Sequence, residues 1–184
     1  MIPSREDLMR ALPHVLAAPK DGAAISHLCL RPERNTRKFV DEITLTKAQG
    51  IPGERWMTQP WIRTEAGDPH PGIQVCVIPK RVLDLVWSPD EDVLHPGDTF
   101  AADLDMTEEN LPEGQLLSVG TAVLRVSEVF NDGCVKWKAR YGSDVYDWVR
   151  APEHRKYRLR SILCSIEQDG VVRTGDVMRK IDQI

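Results

Sequence analysis

The feature that most restricts the fold of this chain is a series of short apolar runs separated by glycine and proline. After residue 23 the runs are rich in β-branched and aromatic residues, and nearly every gap contains Gly or Pro. They lie at residues 24–30, 39–46, 73–79, 83–87, 119–130, 134–138, 158–167 and 177–181. Such runs predict short β-strands. Because no helical segments alternate with them, we predict a mainly β barrel or sandwich.

The first residues follow a different pattern. Ser4-Arg-Glu-Asp7 resembles a capping box, and apolar residues follow it at helical spacing. We therefore predict a helix from residue 5 to about residue 17. The length of 184 residues fits one domain. The predicted organisation is a helical lead at residues 1–23 and a β domain at residues 24–184.

Charge and hydropathy exclude several classes of partner. The formal net charge is −4, and the basic residues are spread along the chain, which argues against a nucleic-acid surface or a polybasic membrane anchor. No window reaches the roughly 20 apolar residues of a membrane span. The first 20 residues carry charges where a signal peptide needs an apolar core. We expect a cytoplasmic protein that binds neither nucleic acid nor a membrane.

One long segment lacks any regular pattern. Residues 50–72 contain eight Gly or Pro residues together with Trp56 and Trp61. Loops of this length in a folded domain are usually functional or disordered, and the tryptophans favour a packed loop. We predict that this loop forms a wall of the functional site.

The four cysteines fall into two groups. Three lie in apolar runs and are expected in buried strands: Cys29, Cys76 and Cys164. The fourth, Cys134, follows the turn signal Asn131-Asp-Gly133. The chain has no CxxC pair, so we expect reduced thiols rather than a zinc or dithiol site.

Cys134 is the best candidate for chemistry. On a strand beginning at residue 134, Lys136, Lys138 and Arg140 would share its face. Cationic neighbours favour the thiolate, which attacks electrophiles, carries sulfur or ligates soft metals. The alternative is a small apolar residue at the start of a strand, with no chemical role.

Several segments, taken in order, resemble the MOSC domain, the C-terminal module of molybdenum-cofactor sulfurases that also occurs as a small stand-alone protein. They are Gly50-Ile-Pro-Gly-Glu-Arg-Trp56, Ile73-Gln-Val-Cys-Val-Ile78, Thr107-Glu-Glu-Asn-Leu-Pro-Glu-Gly114, Leu117–Val126, Gly133-Cys134 with Arg140-Tyr-Gly142, and the closing segment 158–177. Together they cover roughly residues 24–181. Glu54, Trp56, Ile73 and Ser161 stand where the family has Asp, His, Arg and Gly.

The resemblance implies a closed or partly open barrel of the MOSC (pyruvate-kinase-barrel-like) type with a short N-terminal helix and few small helices. It also implies that Cys134 is either a persulfide-type sulfur carrier or the thiolate ligand of a molybdenum–pterin cofactor. The anionic phosphate of that cofactor needs cations, and the basic residues within matching motifs are Arg55, Lys136, Arg140 and Arg160. Asn110 is a further candidate, either as a ligand group or as a brace for the turn that follows it.

The resemblance leaves the function open between classes. One is an enzyme, either a molybdenum cofactor sulfurtransferase-like protein or a molybdopterin oxidoreductase that reduces a small N-oxygenated substrate. Another is a non-catalytic carrier or binding module, and a third is a barrel that has lost its ligand. The implied partners are a sulfur-donor desulfurase or a redox protein, and a small-molecule ligand. Pyridoxal phosphate belongs to the desulfurase domain of larger relatives, so direct binding here is not expected.

Overall fold

A computed structural model describes residues 2–182 of the chain. The helices are Arg5–Leu16 (α1), Lys80–Val86 (α2) and Val135–Arg150 (α3). The strands are Ala23–Leu30 (β1), Lys38–Val40 (β2), Glu42–Leu45 (β3), Val75–Pro79 (β4), Phe100–Ala102 (β5), Leu116–Val119 (β6), Ala122–Val126 (β7), Ile162–Gln168 (β8), Gly170–Arg173 (β9) and Val177–Ile181 (β10). Short 3-10 helices cover Pro71–Ile73 and Pro152–Tyr157.

Seven strands form a closed barrel. Their order is β10-β6-β7-β8-β4-β5-β1, and β1 pairs back onto β10 through Ala23 opposite Met178 and Ala24 opposite Val177. Within the described residues the barrel pairs are antiparallel except for β4 and β5, which run parallel. Strand β2 extends β1 outside the barrel, while β3 and β9 form a separate two-stranded sheet. The predicted mainly β barrel with an N-terminal helix is confirmed.

The alternating directions of strand side chains divide the buried residues into three clusters. On β4, Val75 and Val77 point into the barrel core, which also contains Phe100 and Leu117. The alternate residues Cys76 and Ile78 point outward. Ile78 packs into a helical cluster formed with α1, α2 and α3, whereas Cys76 packs under the long loop in a loop cluster. This is why β4 is buried along its whole length.

Two predicted strands are helices in the structure. Residues 83–87 belong largely to α2, where Val82, Leu83 and Val86 share a buried face at helical spacing. Residues 134–138 contain the start of α3. The alternation of apolar and basic residues there indicated a strand, but the buried Trp137, Tyr141, Val145 and Trp148 repeat with helical spacing over a longer window.

The run predicted at residues 39–46 is divided at Asp41 into β2 and β3, which belong to different sheets. The helix predicted from residue 5 and the strand at residues 177–181 are confirmed. The single run predicted at residues 119–130 was wrong, because the chain reverses at Gly120-Thr121 between β6 and β7. The division into a lead at residues 1–23 and a β domain at residues 24–184 stays a prediction. Residue 1 of the lead and residues 183–184 of the β domain lie outside the described residues. Along residues 2–182, none of the helices is both long and apolar enough to cross a lipid bilayer.

Candidate functional site

The candidate site lies on the outer face of the barrel, where β8, β4 and β5 are neighbours. The outward-facing Cys76 on β4 is opposite Leu163 on β8. The long loop after β3 covers these residues from one side, with Trp56 packing into the loop cluster. The first turns of α3 and the turn before β5 border the same face.

A cavity of about 400 Å³ opens between these elements. It is lined by the loop after β1, the long loop, the turn at residues 96–98, the start of α3 and the start of β8. The lining residues are Arg31, Asn35, Arg37, Arg55, Trp61, Ile73, Cys76, Pro96, Gly97, Asp98, Asn131, Asp132, Gly133, Cys134, Lys136, Arg140, Arg160 and Leu163. Six of these side chains are basic and two are acidic, so the cavity is cationic in a chain whose net charge is −4.

The structure brings together five of the six residues predicted from the sequence. Cys134, Arg55, Lys136, Arg140 and Arg160 all line this cavity, although they come from three separate segments. The long loop, through Arg55 and Trp61, forms one of its walls as predicted.

Asn110 is placed differently and does not line the cavity. It is buried, and its side-chain amide donates hydrogen bonds to the carbonyls of Lys20 and Asp105 at 3.0 and 2.8 Å. Its Oδ1 accepts a hydrogen bond from Lys180 Nζ at 2.9 Å. These contacts tie the chain after α1 to the segment after β5, which is a bracing role.

Cys134 is the one exposed cysteine among the described residues. It is the N-cap of α3, with extended backbone angles of φ −117° and ψ 171°, and its side chain makes no capping hydrogen bond. The turn before it is closed by Gly133 N–H, which donates to Asn131 Oδ1 at 3.2 Å. Gly133 has φ 80°, a left-handed angle that favours glycine. The turn therefore presents an unengaged thiol at the mouth of the cavity.

Two of the lining cations have no bonded partner. In the part of the chain that the structure describes, the side chains of Arg55 and Lys136 make no hydrogen bond and no ion pair. Burial lowers the pKa of Arg55, and the nearby positive charge of Arg31 lowers it further. Arg55 stays charged, but its charge is less well stabilised than in water, so an anion that approaches it would be favourable.

The other cations are held in fixed positions by the protein. Nε and Nη2 of Arg31 donate to both carboxylate oxygens of the buried Glu54 at 3.1 and 2.8 Å. Arg37 donates to the carbonyls of Thr36, His95 and Pro96. Because those acceptors are neutral, the charge of Arg37 is not cancelled by them, whereas that of Arg31 is largely offset by Glu54.

A buried ion pair forms the floor of the cavity. Asp98 Oδ1 accepts hydrogen bonds at 2.7 Å from Arg160 Nη1 and at 2.7 Å from Cys76 Sγ. Burial is the largest influence and would raise the pKa of Asp98, but the charge of Arg160 and the hydrogen bonds from Arg160 and Cys76 together outweigh burial, so that pKa is lowered. For Cys76, burial and then the Asp98 charge raise the thiol pKa to about 12. Cys76 is thus a hydrogen-bond donor to Asp98 rather than a nucleophile.

Two atoms of this floor lack partners. Asp98 Oδ2 and Arg160 Nε are buried, and within residues 2–182 neither has a hydrogen-bond partner. An unpaired buried polar group costs about 1–3 kcal/mol. The guanidinium of Arg160 is also held 4.3 Å above the Trp137 ring, which fixes its plane. The floor thus has unused capacity both to donate and to accept hydrogen bonds.

Reasoning from the sequence missed several lining residues. The sequence analysis assigned no role to Asp98, which ends the turn His95-Pro-Gly-Asp98, and it placed Cys76 only in a buried strand. The missing information is the pairing of β4 with β5, which places the end of that turn beside Cys76. Trp61 lies in the unpatterned loop that the sequence analysis had already indicated as a wall of the site.

The protein alone does not supply a set of metal ligands. Among residues 2–182, no group of three or more His, Cys, Asp or Glu side chains is arranged to hold a metal ion. Cys134 could therefore contribute a single thiolate to a metal whose other ligands belong to a cofactor.

Comparisons with known proteins show the fold. No family model matches the chain, and no curated protein matches its sequence. Among solved structures, YuaD from Bacillus subtilis is similar with a TM-score of 0.62 and 17% identity, covering 88% of this chain and 97% of that one. YiiM from Escherichia coli is similar with a TM-score of 0.55 and 18% identity, covering 88% and 71%. YiiM from Geobacillus stearothermophilus has a TM-score of 0.57 and 15% identity, covering 87% and 75%. YuaD and YiiM are MOSC-domain-type proteins, so this chain shares the fold of that type.

Proposed function

We propose that this chain binds a molybdenum–pterin cofactor in the cationic cavity, with the Cys134 thiolate as the protein's ligand to the metal. The observation that carries the proposal is one exposed thiol in a cavity that six basic side chains line. Thiolate is a soft ligand suited to such a metal, and arginine and lysine are the side chains that bind phosphate.

The cavity fits this group on three counts. Its volume of about 400 Å³ lies within the range of roughly 300–1,000 Å³ that is usual for small-molecule sites. Arg55 and Lys136 have free positive charges for a phosphate. The unpaired Asp98 Oδ2 and Arg160 Nε offer hydrogen bonding at the floor, where the edge of a pterin ring would need both acceptors and donors.

The thiol and the basic residues of the cavity then divide into a metal ligand, phosphate ligands and a fixed cation at the floor. Cys134 would hold the metal, because its position before α3 leaves the sulfur free. Arg55, Lys136 and Arg140 bind the phosphate, while Asp98 keeps Arg160 in place through the 2.7 Å ion pair. When bound, the cofactor supplies a metal that exchanges electrons and oxygen with a small N-oxygenated substrate.

A second candidate function is favoured by the exposure of Cys134. A persulfide carrier must present its sulfur both to a donor protein and to an acceptor, and an exposed thiol with no partner meets that need. In this case the cations would stabilise the anionic persulfide, and a desulfurase would be the donor partner. The two candidates share Cys134 but differ in what is bound to it.

Elemental analysis for molybdenum, combined with intact-mass detection of an added sulfur atom, distinguishes these candidates. The protein is expressed in cells that make the pterin cofactor, as wild type, Cys134→Ser and Cys29→Ala. Cys29 is the matched control because it is buried in β1, where burial raises its thiol pKa to about 11. We expect near-stoichiometric molybdenum in the wild type and in Cys29→Ala, and loss of the metal in Cys134→Ser.

The other outcomes decide against this proposal. An added sulfur atom that is lost in Cys134→Ser, with no molybdenum in any variant, would support the carrier function. Equal loading of Cys134→Ser and the wild type would remove Cys134 from the site. Absence of both signals from the wild type would indicate a MOSC-type barrel that binds a different ligand.

A further inference from the structure

A second cavity adjoins the one that contains Cys134. It has a volume of about 350 Å³ and shares five lining residues with the first: Arg31, Arg55, Trp61, Ile73 and Lys136. Its own part is lined by Arg34, Glu54, Trp56, Gln59 and Pro60. Because these five residues line both, the two cavities are neighbours along the long loop, and together we call them the groove.

The second cavity also carries uncompensated positive charge. Arg34 is exposed, and its side chain has no hydrogen-bond or ion-pair partner in the described range. The positive charge of Arg34 is one of the influences that lower the pKa of Arg55. Glu54 is the only acidic side chain in the lining, and it is fully engaged by Arg31. Arg34, Arg55 and Lys136 therefore form a cluster that an anion would stabilise.

Trp61 gives the groove a flat apolar surface beside these charges. Its side chain is 63% exposed, and within residues 2–182 it makes no ring contact. Exposed tryptophans next to cationic grooves are stacking surfaces for nucleobases. The side chain of the neighbouring Gln59 is exposed and has both a donor and an acceptor for the edge of a base.

We propose that the second cavity binds a nucleoside phosphate group, with its base stacked on Trp61 and its phosphates paired with Arg34, Arg55 and Lys136. This site shares Arg55 and Lys136 with the proposed cofactor site, but it goes beyond that function because Arg34 and Gln59 do not line the Cys134 cavity. A nucleotide can reach this site in two forms. It is either joined to the phosphate of the cofactor or is a separate ligand.

The test compares three probes by calorimetry on the purified chain: guanosine 5′-diphosphate, inorganic pyrophosphate and guanosine. We expect the nucleotide to bind at least about tenfold more tightly than either part alone, because it uses both the stacking surface and the cations. Trp61→Ala is expected to weaken nucleotide binding by roughly tenfold and to leave pyrophosphate binding almost unchanged. Trp61→Phe should retain much of the affinity, because it keeps an aromatic face.

Matched arginine variants test the phosphate contacts. Arg34→Ala should weaken the binding of both nucleotide and pyrophosphate, whereas Arg10→Ala, an exposed arginine on α1 that lines neither cavity, should weaken neither. Equal affinities for nucleotide and pyrophosphate, or an unchanged nucleotide affinity in Trp61→Ala, would overturn the proposal. Trp61 and Arg34 are both exposed, and circular dichroism verifies that their variants fold.

Mass analysis of the ligand released from protein purified from cells identifies the source. A nucleotide joined to a pterin that is lost in Cys134→Ser indicates the cofactor-attached form. A free nucleotide retained in Cys134→Ser indicates a separate ligand. Nucleotide binding without molybdenum would contradict the proposed cofactor function alone, so failure of one proposal is distinguishable from failure of the other.

Discussion

His95 and His27 form a hydrogen-bonded pair, and a backbone N–H determines which ring nitrogen of His95 carries the proton. Gly97 N–H donates to His95 Nδ1 at 3.1 Å, so the ring proton of neutral His95 lies on Nε2. That proton points to His27 Nε2, also at 3.1 Å, which must then be the acceptor. Burial lowers the pKa of His95 to about 3, and it lowers the pKa of His27 as well. The turn that positions Asp98 is therefore built on neutral histidines.

This pair predicts a loss of stability in acid. The folded pKa of His95 lies below the unfolded value of about 6.5, so the unfolded chain binds an extra proton as the pH falls through that window. Between about pH 7.5 and pH 5, His95 alone should lower the free energy of unfolding by about 2 kcal/mol. His95→Asn keeps an acceptor for Gly97 N–H but does not titrate. Urea denaturation at both pH values should show that the free energy of unfolding falls less in the variant than in the wild type. An equal fall in both would contradict the assignment of His95 as the titrating group.

The residues of the site differ in how readily they can be predicted from the sequence. The prediction that Cys29, Cys76 and Cys164 lie in buried strands is confirmed, because each sits in a continuous apolar run. Cys134 was recognised by its turn and its basic neighbours. Asp98 could not be assigned, since its role depends on Arg160, which is 62 residues away in sequence and lies in the turn before β8.

The first half of α3 is the element that carries Cys134, Lys136 and Arg140 to the cavity. Gly142 interrupts this helix with φ 87° and ψ 169°, so residues 135–141 and 143–150 are separate helical segments. Trp137 and Tyr141 anchor the first segment in the helical cluster, and Tyr141 Oη donates to the Leu94 carbonyl at 2.7 Å. The kink thus sets the direction from which the first segment meets the cavity.

Replacing Gly142 should damage both stability and ligand binding. Those backbone angles are accessible essentially only to glycine, and a Cβ would also come within 3.1 Å of Ile2 Cγ2. We expect Gly142→Ala to lower the free energy of unfolding by roughly 1–3 kcal/mol. We also expect weaker binding of inorganic pyrophosphate by calorimetry, because Lys136 and Arg140 would shift.

Gly175→Ala is the matched control for that change. Gly175 also has positive φ, at 90°, and an added Cβ would have no atom within 4 Å. It lies in the turn between β9 and β10 and does not line the cavity. A comparable loss of stability with unchanged pyrophosphate affinity is expected. Equal loss of pyrophosphate affinity in both glycine variants would show that the kink at Gly142 has no particular role in placing Lys136 and Arg140 at the cavity.

Local patterns predicted most elements, and the errors have a common cause. Runs with long apolar stretches, such as β1 and β8, were recognised. The segments that became α2 and the start of α3 were too short for a strand to be told from a helix by alternation alone. Strand β5 was missed because Phe100-Ala-Ala102 is short, and it becomes a strand only through pairing with β1 and β4.

At the scale of the whole molecule, the class of fold was predictable and the pairing order was not. The number and spacing of the runs indicated a barrel or sandwich, and the family resemblance indicated a barrel. Closure depends on contacts between β1 and β10, at opposite ends of the chain, and on the parallel pair β4 and β5. No local pattern encodes such distant pairings, yet they create the outer face on which the site lies.

The distribution of charge over the whole molecule gives the last prediction. A net charge of −4 should repel anions at long range, whereas the cationic groove should attract them once they are near. Lys136→Glu and Lys20→Glu change the net charge equally, but only Lys136 lines the groove. At low salt we expect Lys136→Glu to weaken pyrophosphate binding by about tenfold and Lys20→Glu to have little effect. The difference should shrink near physiological salt, where the screening length is about 8 Å. Equal weakening by both variants in calorimetry would mean that net charge, and not its placement in the groove, controls anion binding.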